Sequence, residues 1–322
     1  MSLTDAAALI RQARRVALVT HVAPDPDAIG SLLGLGLGLR DLGKQIALLD
    51  DDPPPTNVLF LPEIGRVMAA LPDGFVPDLV IGLDSSDAER LGQVARPLLS
   101  GAVASLNIDH HATNTLYASV NLVQEDAAST AEMIPALLDE LGVTITPQIA
   151  ACLMTGMVGD TVGFSTSAVS PQTFLVAARL TACGANVGEI TQQVLKRKTF
   201  DTLRLWSIGL ANMTLEDGVL WAVIPLRERR LLGLPDDLNG GLSNQLKNVT
   251  EAEIAVVFTE KADGRVELSM RANPGYDVAD LAFSLGGGGH RLAAGATIDG
   301  PLLEAARRVV DLLKQQVREG RG

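Results

Sequence analysis

Aromatic residues and cysteine are scarce in this sequence. Aromatic residues make up 3% of its 322 residues, so leucine, valine, isoleucine and alanine must form the core. The two cysteines, Cys152 and Cys183, are too few for a disulfide framework. No apolar run is long enough for a transmembrane helix, and the first residues lack the apolar stretch of a signal peptide. We therefore expect a soluble, cytoplasmic protein without a membrane partner.

Positive charge is also in short supply. The chain has 26 Lys and Arg against 38 Asp and Glu, for a formal net charge of −12. A protein that binds a long nucleic-acid duplex usually needs a basic face, so we expect no such partner. Acidic residues that hold divalent cations add to the negative total, and the cations reverse the charge locally. The charge therefore still allows a small phosphorylated substrate.

The first half of the chain alternates apolar runs with amphipathic stretches. Runs that are apolar throughout are typical of strands covered on both faces, as in a parallel sheet flanked by helices. Strands are predicted at 15–21, 45–50, 77–84 and 102–109, and helices at 27–43, 130–142 and 147–160. We therefore predict an α/β domain with a mostly parallel sheet.

The pattern changes after about residue 185. A helical stretch is followed by shorter apolar runs separated by turns, which indicates a smaller, mixed α+β domain. Strands are predicted at 218–226, 253–260 and 265–272, the last two as a hairpin, with a closing helix at 302–317. The expected organisation is a first domain at 1–188, a helical connector at 189–213 and a second domain at 214–322.

Three of the predicted strands end in a polar residue. His21, Asp84 and Asp109 each lie at the C-terminal end of a strand. Ligands bind at that edge in open α/β sheets, so these side chains should meet at one rim.

The stretch HVAPDPDAIGS (21–31) joins a strand to a helix. It places His21, Asp25 and Asp27 in an H-x3-D-x-D pattern, in which two carboxylates can face different metal ions across a proline-containing turn. The helix start that follows favours bound phosphate. The alternative interpretation is that Asp27 only caps this helix.

A second motif, IDHH (108–111), places two of the chain's four histidines side by side. Where a strand ends, both rings can turn toward one cleft, and imidazole with carboxylate suits Mn²⁺, Fe²⁺ or Zn²⁺. Asp84 and Asp160 are further candidates, each with a turn or cap as the alternative. In the second domain, Arg271 lies near a strand end and His290 follows four glycines, whose backbone can approach an anion closely.

Together these motifs resemble the DHH phosphoesterase superfamily with its DHH-associated C-terminal domain. The resemblance runs from His21 to Ala296 and is strongest to the bacterial oligoribonuclease and 3′-phosphoadenosine 5′-phosphate phosphatase branch. It implies two divalent ions, usually manganese, bridged by Asp84. One ion would take His21, Asp25 and Asp84, and the other would take Asp27, Asp84, His110 and Asp160.

The resemblance also implies roles for residues that do not hold metal. His111 would face the substrate phosphate as a catalytic residue, and Asp109 would orient the histidine pair. The implied substrate-binding residues of the second domain are Arg271, Gly287, Gly288, Gly289 and His290.

The implied activity is metal-dependent hydrolysis of phosphoester bonds in short nucleotides. Expected substrates are short oligoribonucleotides, pApA and 3′-phosphoadenosine 5′-phosphate. The sequence departs from many relatives at Ser165, where they have arginine, and at Ala272, where they often have serine, which puts the substrate preference in doubt. The sequence allows a homodimer without fixing the oligomeric state.

Three alternatives remain at this stage. An inorganic pyrophosphatase or polyphosphatase would share the first-domain motifs, but it should have a more basic second domain. A processive single-strand exonuclease should have additional domains and more stacking aromatics. A catalytically inactive nucleotide-binding protein should lack some of the metal ligands, all of which are present.

Overall fold

A computed structural model describes residues 2–99, 103–236, 238 and 240–320. The chain divides into two compact units, 1–197 and 198–322. Ala102, the first residue of one predicted strand, lies outside the described residues. The predicted boundaries at 188 and 213 stay predictions.

The first unit is built on a six-stranded sheet in which all neighbouring strands are parallel. Its strands are β1 (Arg15–Thr20), β2 (Gln45–Leu49), β3 (Val67–Met68), β4 (Leu79–Leu83), β5 (Ala104–Asp109) and β6 (Val120–Val123). The spatial order is β3-β2-β1-β4-β5-β6. This arrangement confirms the predicted α/β fold class.

Helices cover both faces of this sheet. They are α1 (Leu3–Gln12), α2 (Pro26–Asp41), α3 (Gly92–Leu99), α4 (Thr130–Leu141), α5 (Pro147–Asp160), α6 (Pro171–Ala182) and α7 (Val187–Thr191). Short 3₁₀ turns lie at Thr56–Val58 and Ile64–Arg66, and a π-helical turn lies at Gln192–Lys196. Separate apolar clusters lie on the two faces, which explains why the strand sequences are continuously apolar.

The glycines of α2 allow an unusually close helix contact. A Cβ on Gly30 would lie 2.5 Å from Cys152 O and 2.8 Å from Gly156 N on α5. At the end of this contact, a Cβ on Gly159 would meet the ring of Pro26, so the two helices run antiparallel. The start of α2 and the end of α5 are thereby held together.

The strand order reverses between β1 and β4. Ligands in open α/β sheets bind in the crevice outside the carboxyl ends of the strands at such a reversal. His21 follows β1 and Asp84 follows β4, so the sheet topology alone places these two side chains at that crevice.

The second unit contains a mixed six-stranded sheet of order β11-β12-β10-β9-β8-β7. Its strands are β7 (Met213–Glu216), β8 (Val219–Ile224), β9 (Ile254–Glu260), β10 (Arg265–Ala272), β11 (Gly288–His290) and β12 (Ala293–Asp299). Its helices are α8 (Phe200–Ala211), α9 (Leu226–Leu231), α10 (Leu242–Leu246), α11 (Ala279–Ser284) and α12 (Leu302–Gly320). β9 and β10 form the predicted antiparallel hairpin, whereas β8 and β9 are parallel.

The predicted connector is helical but interrupted. The π-helical turn ends at Lys196, and α8 begins after Thr199, whose side chain caps it by accepting from the Thr202 N–H. No helix in the described part of the chain combines the length and apolar character needed to cross a membrane. Both cysteines are free, and the cytoplasmic location stays a prediction.

Candidate active site

His21 is buried immediately after β1. Its Nδ1 lies 3.0 Å from the carbonyl oxygen of Val22, a contact in which Nδ1 donates. Nε2 would carry the lone pair in the neutral ring, and it lies 3.6 Å from Asp84 Oδ2 and 3.9 Å from Asp25 Oδ2. This orientation is that of a histidine whose Nε2 can bind a metal.

The two aspartates that follow have different surroundings. Asp25 is the N-cap of α2, and its Oδ1 accepts the N–H groups of Asp27 at 2.9 Å and Ala28 at 3.0 Å. The interpretation of Asp27 as the cap is therefore wrong. Asp27 is fully buried and instead accepts the N–H groups of Thr130 at 2.7 Å and Ala131 at 3.0 Å, at the start of α4.

Asp84 lies at the centre of the cluster. It is 1% exposed, and its φ of +57° is a left-handed conformation that costs backbone energy in a residue other than glycine. Thr130 Oγ1 donates to its Oδ1 at 2.9 Å. One nitrogen from each tandem histidine approaches the same Oδ1, His110 Nε2 at 3.7 Å and His111 Nδ1 at 3.8 Å, whereas His21 faces Oδ2.

The tandem histidines lie just beyond β5, which ends at Asp109. His110 Nδ1 is 3.2 Å from Ala127 O, and His111 Nδ1 is 2.7 Å from Asp109 Oδ1. Because the strand has ended, the two rings lie on one side, with centroids 4.5 Å apart. Asn114 donates to the other Asp109 oxygen at 2.6 Å, so Asp109 is fixed as a support for His111.

The predicted metal ligands are brought together in the structure. Asp160, the last residue of α5, has Oδ2 3.1 Å from His110 Nε2. Ligand atoms within 4.8 Å of one another form three groups: His21, Asp25 and Asp84; Asp27, His110 and Asp160; and Asp84, His110 and His111. Asp84 and His110 each belong to two groups.

Two further observations fit a metal at these groups. His110 Nε2 is buried without a hydrogen-bond partner, although Asp160 Oδ2 lies 3.1 Å away. A Cβ on Gly156 would lie 2.5 Å from Asp27 Oδ1, so glycine leaves room for this carboxylate. Mixed imidazole and carboxylate donors suit divalent transition metals. These residues could therefore hold metal ions.

The electrostatics of the cluster point the same way. Burial, together with the charges of Asp84 and Asp160, raises the pKa of Asp25 and raises that of Asp27 well above its usual range. Burial opposes ionisation of Asp84 as well, but the neighbouring histidines outweigh it and lower the pKa of Asp84. Despite its burial, contacts with Asp160 and Asp84 raise the pKa of His110 to about 9. Divalent cations would relieve the repulsion among these carboxylates.

Asp50 is a buried acid that the sequence analysis missed. It directly follows β2 and is 1% exposed. Its Oδ1 accepts the Asp52 N–H at 2.7 Å, whereas Oδ2 is buried without a hydrogen-bond partner. Burial raises the pKa of Asp50 to about 7. Its position at a strand end was the signal that could have identified it.

We expect Asp50→Asn to stabilise the metal-free protein at pH 8. A carboxyl whose pKa is raised in the folded state destabilises the fold when it is ionised. This destabilisation grows as the pH rises from the unfolded pKa near 4 to the folded pKa of about 7, and it is complete above that pH. The full shift corresponds to at most about 4 kcal/mol, and the unpaired amide of asparagine should reduce the net gain to roughly 1–2 kcal/mol. Urea unfolding in EDTA at pH 8 and pH 4 measures it. A variant less stable than wild type at pH 8 would contradict the assignment.

The predicted substrate-binding residues lie in the second unit. Arg271 Nε donates to Asn244 Oδ1 at 2.6 Å and Nη1 donates to Met270 O at 2.8 Å. His290 pairs with Ala293 on β12, and Ala293 pairs with Arg271 on β10. The register thus aligns Arg271 and His290 two strands apart, or about 10 Å.

Close backbone packing explains part of the glycine run. A Cβ on Gly287 would lie 2.1 Å from Gly295 O, and Gly289 has a φ of +140° with Ala294 Cα only 2.5 Å from a Cβ placed there. Gly288 lies between them, opposite Gly295 on β12. Binding of an anion by these backbone amides stays a prediction.

Comparison with known proteins agrees with this geometry. Residues 15–157 match the DHH family, N-terminal domain, and residues 232–319 match the DHHA1 domain. The bifunctional oligoribonuclease and PAP phosphatase NrnA of Thermus thermophilus is 34% identical over 93% of this chain and 89% of its own length. The protein of the same name from Bacillus subtilis is 29% identical, with coverages of 88% and 89%.

Solved structures share the fold. An exopolyphosphatase-related protein from Bacteroides fragilis has a TM-score of 0.90 at 21% identity, covering 99% of this chain and 97% of that one. RecJ from Thermus thermophilus, in a structure with Mn²⁺, has a TM-score of 0.55 at 18% identity, with coverages of 97% and 54%. The matched domains and the similarity along nearly the full length lead to one conclusion: the chain belongs to the DHH family and carries a DHHA1 domain in its second unit.

Proposed function

We propose that the protein hydrolyses phosphoester bonds in short nucleotides: short oligoribonucleotides, pApA and 3′-phosphoadenosine 5′-phosphate. The observation that carries this proposal is a cluster of overlapping ligand groups, whose members include His21, Asp25, Asp27, Asp84, His110 and Asp160. The names of the Thermus and Bacillus relatives describe the same two activities, oligoribonuclease and PAP phosphatase.

We propose that the cofactors are two divalent ions, supplied as Mn²⁺ in an assay. One would be held by His21, Asp25 and Asp84. The other would be held by Asp27, Asp84, His110 and Asp160. When bound, such ions lower the pKa of water and neutralise charge on a phosphate.

His111 is proposed as the proton donor to the departing oxygen. Its hydrogen bond to Asp109 fixes the ring and raises the pKa of His111, which favours the protonated form. The side chain is 36% exposed, so the ring is accessible to a substrate. Asp109 acts through His111 by holding its orientation.

In the second unit we propose that Arg271, Gly287, Gly288, Gly289 and His290 bind the substrate. The departure at Ala272 does not alter this set, because its side chain is buried in the core on the α12 side of β10. Ser165 is exposed and donates to Val162 O at 2.7 Å, so it replaces the arginine of relatives with a local turn contact. The homodimer stays a prediction.

The test is an assay with chelator-treated protein, with and without Mn²⁺. Its substrates are pApA, a five-residue RNA, 3′-phosphoadenosine 5′-phosphate, a long single-stranded DNA and pyrophosphate. We expect metal-dependent release of mononucleotide or phosphate from the first three. Cleavage of pyrophosphate alone would favour the pyrophosphatase alternative, and absence of turnover with metal bound would favour a nucleotide-binding protein.

A further inference from the structure

The second unit contains a cavity of about 430 Å³ on one face of its sheet. This volume lies in the range of small-molecule sites. Its lining includes Arg229, Arg271, Ser243, Ser269, Leu205 and Val257. Successive residues of β10 point to opposite faces, so Ser269 and Arg271 face the cavity while Leu268 and Met270 pack in the core with α12.

Arg229 is an unusual lining residue for such a cavity because the side chain is charged and the residue is only 1% exposed. It lies on α9, and its Nη2 donates to Pro235 O at 2.6 Å. Its Nε is buried without a hydrogen-bond partner. Removing a guanidinium from water is unfavourable unless an opposite charge compensates for it.

No carboxylate in the described part of the chain forms an ion pair with Arg229 or Arg271. The carboxylate at the cavity, Glu267, is paired with Lys261. Arg271 is positioned by a neutral partner, Asn244, and burial lowers the pKa of Arg271. Among the described residues, no carboxylate balances the charge of these two partly or fully buried cations.

The remaining lining groups suit a nucleotide. Ser243 Oγ and Ser269 Oγ lie 3.0 Å apart and can both contact an anionic oxygen. Leu205, Leu242 and Val257 supply an apolar wall for an uncharged ring. Guanidinium groups bind phosphate by forked, charge-assisted hydrogen bonds.

We propose that Arg229 is an anion-binding residue of this cavity, where it acts with Arg271 on the phosphate of a nucleoside monophosphate group. This specificity-determining role rests on the proposed function, which supplies the nucleotide. A purely structural role for Arg229, in which its guanidinium only holds the Pro235 segment, is the competing explanation.

The test measures binding of adenosine 5′-monophosphate and adenosine to the full chain in EDTA by calorimetry. Arg229→Gln should weaken binding of the monophosphate by at least about tenfold, because a charge-assisted hydrogen bond is lost, and should leave adenosine binding unchanged. Arg230→Gln is the matched control, because Arg230 is next to Arg229 in the sequence but its side chain is 58% exposed and pairs with Asp236. Circular dichroism establishes that each variant is folded.

Arg229→Lys keeps the inference testable if the glutamine variant does not fold. It retains the charge but loses the forked donor, so it should weaken the monophosphate by about threefold or more and leave adenosine unchanged. Equal losses for both ligands, or none for either in a folded variant, would overturn the inference. So would the absence of monophosphate binding by the wild-type protein.

The outcome is separable from that of the proposed function because binding in EDTA requires no catalysis. Arg229-dependent monophosphate binding by a protein that cleaves none of the test substrates would support the cavity and refute the enzyme. Cleavage of short nucleotides by an enzyme whose Arg229 variants bind monophosphate normally would support the proposed function and refute the role of Arg229.

Discussion

Asp84→Asn is expected to lower kcat/KM for pApA by at least about a thousandfold. The substitution keeps the size of the side chain but removes the charge that two ligand groups share and that lies within 3.8 Å of three histidine rings. The protein should therefore bind both proposed ions more weakly. Metal analysis after gel filtration measures the bound manganese, and chromatography of the products measures the rate.

Asp87→Asn is the matched control for this prediction. Asp87 lies three residues further along the chain, and its carboxylate accepts the Arg90 N–H at 2.9 Å without joining any ligand group. Its activity and metal content should stay within about twofold of wild type, as expected away from the reacting groups. Retention of full manganese content and turnover by Asp84→Asn would refute the shared-ligand proposal.

His111→Ala should have the second largest effect, with kcat lowered by about 10²–10⁴-fold and metal content retained. The reason is that Asp109 fixes His111 by a 2.7 Å contact, whereas the neighbouring His110 has its Nε2 directed at Asp84 and Asp160. His110→Ala is the matched comparison, because it should lose metal as well as activity. The two adjacent histidines would thus be separated by metal analysis.

A substrate with a good leaving group tests the proton-donor role of His111 directly. In the p-nitrophenyl ester of a nucleotide the leaving group is p-nitrophenolate, which departs without being protonated. His111→Ala should therefore slow cleavage of this ester far less than cleavage of pApA. Equal losses for both substrates would contradict proton donation. Loss of metal from the variant would instead identify His111 as a ligand, consistent with the third ligand group.

The sequence was most informative where burial is complete. The runs at 15–21 and 77–84 contain β1 and β4, since strands covered on both faces must be apolar throughout. The helix predicted at 147–160 has the observed bounds of α5. The sequence was less informative in the interrupted segment before α8, because a π-helical turn and a threonine cap leave only a weak local pattern.

The first-unit candidates could be identified from the sequence because they lie at strand ends. Parallel strands bring their carboxyl ends to one edge, so His21, Asp84 and Asp109 could be grouped before any distance was known. The different roles of Asp25 and Asp27 could not be predicted, because they depend on where α4 begins in space. Arg229 gave no signal either, since its burial depends on how α9 packs.

The contact of Asp27 with the start of α4 has a consequence for mutational tolerance. Its carboxylate accepts two N–H groups of a distant helix, so substitutions there are constrained by folding as well as by any selection for activity. Asp25, with a side chain that is 48% exposed, caps only its own helix. A side chain at 27 that cannot accept these N–H groups should therefore lower protein abundance more than the same side chain at 25, although both carboxylates belong to one motif.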